Sequence, residues 1–211
     1  MPLVNIQKVN ENIHLAVWRI TEDLAELKDQ IILSAEDKVI YSQIKHKHKA
    51  LEFLAGRMVC RETFLNLNMG YTPIIRNIYG KPEMPNSPFR LSLSHTDRYV
   101  VLVIGEAIEV GIDIEKPQDK MRKIAPRILN SSELQACNDD LSRFSKMWSA
   151  KEVLYKLYMK REIDFKDNLF LKPSDITWNT MEGEIKKDGF AKTSTLKFIK
   201  LQEYFICFNT N

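Results

Sequence analysis

The chain of 211 residues is long enough for one large domain or two small ones, each able to bury a core. Its 44% hydrophobic and 28% charged residues, with only 7 Gly and 8 Pro, exclude a disordered or fibrous chain. A net charge of +3 is too small to imply nucleic acid as a partner, although local basic clusters can still hold a phosphate-bearing ligand.

From Met1 to Trp18 polar and apolar residues alternate, without the basic start and apolar block of a signal peptide, which predicts a cytoplasmic protein. Ile13 to Ile20 reads as the first strand, and a helix is strongest from Lys49 to about Leu67, where Ala50, Leu54, Met58 and Leu65 keep helical spacing. A Pro-rich loop from Gly80 to Pro88 follows, then strands at Phe89 to Leu93 and Tyr99 to Ile104 around a polar turn, Ser94 to Arg98. Val100 to Ile104 is the longest apolar run and is far too short to span a bilayer, so no membrane segment is expected. Cys60, Cys137 and Cys207 have no paired spacing and read as reduced core residues.

The second half repeats the order: a strand at Glu109 to Glu115 stopped by Pro117, helices up to about Lys160, then strands at Ile176 to Trp178 and Thr195 to Asn209. Ile32, Leu33, Ser34 and Glu36 echo Ile128, Leu129, Ser131 and Glu133, and Ala55 echoes Ala150. Helix starts commonly carry Ser and Glu at capping distance, so the echo also has a local explanation. As a duplication it predicts an α+β fold of two similar lobes, residues 1–107 and 108–211, with a ligand cleft between them.

In Val110 to Glu115 the apolar residues hold one parity, and Gly111, Asp113 and Glu115 hold the other. Both carboxylates therefore face one side, with bases roughly 6 to 7 Å apart, where they can converge on one hard cation. The same pattern also describes a strand with a solvated acidic face. On a helix carrying Phe144, Met147, Leu154 and Tyr158 at apolar spacing, Glu152 and Lys156 share a face. They read either as an exposed ion pair or as chemistry: a third carboxylate able to accept a proton, and a lysine able to neutralise a phosphate oxygen.

Taken in order, Val110 to Lys116 and Trp148 to Lys156 resemble the paired signatures of the 4′-phosphopantetheinyl transferases, a Gly-x-Asp-x-Glu strand and a Trp-x-x-Lys-Glu-x-x-x-Lys helix. Gly80, Lys81, Pro82 and then Leu91 to Thr96 are similar to that family's Gly-Lys-Pro loop and Ser-His turn. Phe53, Leu54, Ala55, Gly56, Arg57 resembles a weaker helix motif. The resemblance covers residues 49 to 156. It is nearest the long, duplicated, monomeric type that includes the surfactin-synthetase activator, although Ser92 stands where that branch often has Asn.

The resemblance implies an enzyme that moves phosphopantetheine from coenzyme A to a serine of an apo carrier protein. It implies Mg²⁺ held by Asp113, Glu115 and Glu152, Glu152 as general base, and Lys156 stabilising phosphoryl charge. Lys49 and Arg57 are implied for the 3′-phosphate, Ser94 and His95 for a coenzyme A phosphate, and Lys81 for the nucleotide pocket. The basic residues Lys116, Lys120, Arg122, Lys123 and Arg127 suit an acidic carrier partner, and equally suit a solvated helix face. Two alternatives stand beside this reading. A non-catalytic coenzyme A-binding or carrier-docking module would keep the fold without turnover. A metal-dependent nuclease would need a Glu-x-Lys strand, whereas Lys116 follows Glu115 directly.

Overall fold

The computed structural model describes residues 2–160 and 162–211. The chain divides into two compact units, Met1–Glu109 and Val110–Asn211. Among the described residues each unit has its own antiparallel sheet and its own apolar core.

The first unit opens with the hairpin β1 (Leu3–Asn10) and β2 (Ile13–Arg19), followed by α1 (Leu24–Gln30), α2 (Ala35–Gln43) and α3 (Lys47–Asn66). Then come β3 (Ile75–Arg76), β4 (Pro82–Glu83), β5 (Phe89–His95) and β6 (Tyr99–Glu106), in the sheet order β1-β2-β6-β5-β4-β3. A capping box formed by Asp23 and Glu26 starts α1, and the Ser34 side chain accepts from the Asp37 amide to start α2. The long helix α3 buries Leu54, Ala55 and Met58 in a core shared with Trp18, Leu102 and Ile104.

The second unit runs β7 (Ile112–Glu115), α4 (Lys120–Ile128), α5 (Ser131–Cys137), α6 (Leu141–Tyr158), then β8 (Leu169–Pro173), β9 (Thr180–Lys187), β10 (Phe190–Leu201) and β11 (Tyr204–Asn209). Its sheet order is β7-β11-β10-β9-β8. As β2 pairs with β6 at the close of the first unit, so β7 pairs with β11 at the close of the second, and three helices follow each opening strand. The α+β fold is thus built twice.

Several sequence expectations are corrected. The first strand is β1, whose side chains are mostly half-exposed or exposed, so it lacks the one-sided apolar pattern that marks a strand. Ser94 and His95 belong to β5 rather than to the turn, because their pairing with Val101 and Val100 continues. Ile176 to Trp178 is not a strand: Asp175 gathers the Thr177 hydroxyl and the amides of Asn179 and Thr180 into a turn, with Trp178 at φ 58°. Thr195 to Asn209 contains a hairpin turn at Gln202 and Glu203, and β8 and β9 went unread. The helix start matching Ser34 is Asn130, not Ser131.

Cys60, Cys137 and Cys207 are free and buried, and burial pushes the Cys60 and Cys137 thiols up to about 12. Among the described residues no helix is long and apolar enough to cross a membrane.

Candidate active site

In the second unit β7 lies against α6 so closely that only glycine fits at 111. A Cβ there would meet the Val153 carbonyl oxygen at 2.8 Å and the Val153 Cγ1 at 3.1 Å. The space beside the carboxylates is therefore taken by the helix backbone. The Gly111 amide donates to Asn209 Oδ1 at 2.8 Å, which ties the start of β7 to the end of the chain.

Strand alternation turns Asp113 and Glu115 to the same side as Gly111, toward α6. Lys156 Nζ donates to the Ile112 carbonyl at 2.6 Å and lies 3.2 Å from Asp113 Oδ1. Trp148 Nε1 donates to Glu115 Oε1 at 2.9 Å. Trp148, Glu152 and Lys156 are spaced four apart, so one stripe of α6 faces the acidic strand. Asp113 is 5% exposed, which removes the solvated acidic face as an explanation. The exposed ion pair within the helix is likewise replaced, since Lys156 reaches across to β7.

Three carboxylates are crowded here. Burial, with Asp113 and Glu115 adding repulsion and Lys156 opposing, pushes the Glu152 carboxyl up to about 7. Burial and then Asp113 also raise Glu115, against the Trp148 hydrogen bond and Lys120 and Lys156. Groups that hinder one another's ionisation in this way are the donors a divalent cation relieves. Among the described residues no three His, Cys, Asp or Glu side chains are gathered tightly enough to hold a metal ion. The donor chemistry, all carboxylate oxygen from two adjacent elements, suits Mg²⁺, which keeps several of its waters.

Lys151, beside Glu152 in the helix motif, has a different task. It is fully buried, 2.8 Å from Glu133 Oε2, and donates to the carbonyls of Phe165 and Leu169. Glu133 Oε1 in turn accepts from the Leu171 amide, so the pair anchors the chain entering β8.

In the first unit Arg57 is drawn into a matching buried pair. Its Nε and Nη2 donate to the two oxygens of Asp37 at 2.8 and 2.7 Å, and the guanidinium lies 4.4 Å from the centre of the Phe53 ring. Lys49 and His95 are brought together instead, through a residue the sequence reading missed: buried Glu52 lies 2.7 Å from Lys49 Nζ and 3.4 Å from His95 Nδ1. Its signal was an acid three residues after Lys49, on the side of α3 that also carries buried positions. Ser94 precedes His95 on β5. Lys81 stands apart, 3.0 Å from Glu109 Oε2, and Arg90 approaches the other oxygen at 3.2 Å. Of the basic residues after β7, Lys116 pairs with Glu203, and Arg122 with Asp119 and Asp139.

Comparison with known proteins gives matches in both units. Residues 109–207 match the family described as the 4′-phosphopantetheinyl transferase superfamily, and residues 35–105 the 4′-phosphopantetheinyl transferase N-terminal domain. The chain is 25% identical over 147 residues to the 4′-phosphopantetheinyl transferase AcpT of Salmonella typhimurium, covering 64% of this chain and 68% of that protein. It is 32% identical over 134 residues to a 4′-phosphopantetheinyl transferase of Bacillus subtilis, covering 59% of each. It is 25% identical over 142 residues to the rat L-aminoadipate-semialdehyde dehydrogenase-phosphopantetheinyl transferase, covering 62% of this chain and 46% of that protein.

Proposed function

We propose that this chain, which belongs to the 4′-phosphopantetheinyl transferase superfamily, moves the phosphopantetheine arm of coenzyme A to a serine of an apo acyl or peptidyl carrier protein. The products are the holo carrier and 3′,5′-adenosine bisphosphate. The observation that carries the reading is the crowded trio Asp113, Glu115 and Glu152 with Lys156 on one stripe between β7 and α6.

Asp113, Glu115 and Glu152 would hold Mg²⁺, which when bound would supply Lewis-acid charge to the diphosphate. The carrier serine Oγ attacks the β-phosphorus, a new O–P bond forms, and the bond to the adenosine bisphosphate oxygen breaks. Glu152 takes the serine proton, directly or through a water, and Lys156 faces the phosphoryl charge. Trp148 fixes the Glu115 carboxylate, and the Ile112 carbonyl fixes the Lys156 ammonium.

Lys49, Ser94 and His95 bind coenzyme A phosphate, and Lys81 borders the nucleotide. Arg57 supports this set through Asp37 and α2, since its guanidinium is already engaged. The basic segment from Lys116 to Arg127 attracts an acidic carrier, and the protein acts as a monomer in the cytoplasm, where its three free cysteines stay reduced. The retained carboxylate trio and the transferase relatives favour turnover over a non-catalytic docking module.

The test is intact-mass measurement of a panel of apo carriers after incubation with the protein, coenzyme A and Mg²⁺. One phosphopantetheine added per carrier, and none with chelator, is the expected result. Tight coenzyme A binding with every carrier unmodified would instead establish the docking module.

A further inference from the structure

Glu52 lies in the second turn of α3 with 7% of its side chain exposed, and three basic side chains converge on it. Lys49 Nζ is 2.7 Å from Oε2, His95 Nδ1 is 3.4 Å from the same oxygen, and His48 Nε2 is 3.9 Å from Oε1. The bases themselves are open: 61% of the Lys49 side chain, 58% of His48 and 43% of His95 are exposed. The carboxylate forms a floor and the bases an accessible rim.

A stabilising role alone would call for one well-placed counter-charge on a buried carboxylate. Here three basic groups meet at one carboxylate. Two of them stand in the first turn of α3, which holds no acid, although the positive end of a helix dipole disfavours bases there. An anion on the rim would offset that conflict. His95 reaches the cluster from β5, so its ring plane is set from a different element. With Nδ1 directed at Glu52, Nε2 is turned away from the carboxylate.

We propose that Glu52 is a positioning residue for phosphate recognition. It holds Lys49 and His95 at one spacing so that together they engage the 3′-phosphate of coenzyme A, an inference that rests on the transferase reading above. Glu52 itself does not touch the substrate, because its carboxylate would repel the phosphate. It acts by spending no side-chain ordering at the moment of binding.

The experiment compares coenzyme A with 3′-dephospho-coenzyme A as co-substrate for the wild type, Glu52→Gln, Glu52→Asp and Lys49→Ala, with melting temperatures recorded for each. Glu52→Gln is expected to raise KM for coenzyme A on the order of tenfold, as for loss of one charge-assisted contact. It should leave kcat, and KM for the dephospho form, within about twofold. Glu52→Asp keeps the carboxylate and should fall between, which also serves if the Gln variant does not fold. Equal KM increases for both co-substrates, or a fall in kcat alone, would overturn the inference, since a merely structural residue does not single out one phosphate. Lys49→Ala separates the two levels of the argument. If it erases the preference for coenzyme A while both Glu52 variants keep it, the phosphate site stands and the role of Glu52 falls. If Lys49→Ala leaves the preference intact, or the wild type has none, the phosphate assignment fails and takes the inference with it.

Discussion

The two units answer the same architectural problem with opposite charge. In the first, one buried acid, Glu52, sits among three bases; in the second, one base, Lys156, sits among Asp113, Glu115 and Glu152. The scaffolds behind them agree. The second helix of each unit offers an acid at its third position, Asp37 or Glu133, and the third helix returns a buried base, Arg57 or Lys151. The strands leading into the helices differ on their helix-facing side: β2 buries Ala16 and Trp18 in the core with α3, whereas β7 turns Asp113 and Glu115 toward α6. A repeated fold thus keeps its structural ion pair and changes the sign of its charged cluster.

That comparison is broken most severely through the shared ion pairs. Lys151→Ala leaves Glu133 buried without its counter-charge and is expected to cost about 3–5 kcal/mol, read as a lower denaturant midpoint, with Arg57→Ala behaving alike through Asp37. A Lys151→Ala midpoint equal to wild type would show that the pair is not structural. Next is Gly111→Ala, where the new methyl meets the Val153 carbonyl. An overpacking cost of about 1–3 kcal/mol is expected, with transfer falling further than stability because β7 carries Asp113 and Glu115. Unchanged melting and transfer would mean that β7 and α6 can separate freely.

The acidic face also predicts a pH dependence. The Glu152 carboxyl is raised from its ordinary 4.5 to about 7, so its contribution to stability is complete below pH 4.5 and is lost as the pH rises through 7. If the trio holds Mg²⁺ as proposed, the ion would relieve the ionised carboxylates and should raise the melting temperature more at pH 8 than at pH 5. An equal shift at both pH values would contradict a carboxylate site. The smallest effects are at the helix caps: Ser34→Ala and Asn130→Ala should each cost about 1 kcal/mol, the second more, because Asn130 belongs to a reciprocal capping box with Glu133.

How much of this was legible depended on whether the reason was local. Helix α3, strand β6 and the β7–α6 motif pair announce themselves by period, since a buried face repeats every two or every three to four residues. Strand β1 does not, because neither of its faces is wholly buried. The turn at Asp175 hid behind the apolar Ile176 and Trp178, and only the hydrogen bonds of one side chain tell it from a strand. In the candidate site, alternation puts Asp113 and Glu115 on one face and helical spacing puts Glu152 and Lys156 on another, while only the family resemblance joins the two pairs. The pairing of Arg57 was not legible because its partner, Asp37, lies twenty residues away. Glu52 was missed for the same reason, as His95 joins it only through the packing of α3 beside β5.

The most direct test of the central claim is the single-turnover rate of phosphopantetheine transfer by Glu152→Gln, at saturating coenzyme A, apo carrier and Mg²⁺. The amide keeps the side-chain shape but neither accepts the serine proton nor carries charge to the cation. A loss of about 10²–10⁴-fold is expected, with coenzyme A binding through the first unit retained. Transfer at the wild-type rate would contradict the assignment of proton acceptance and metal binding to Glu152.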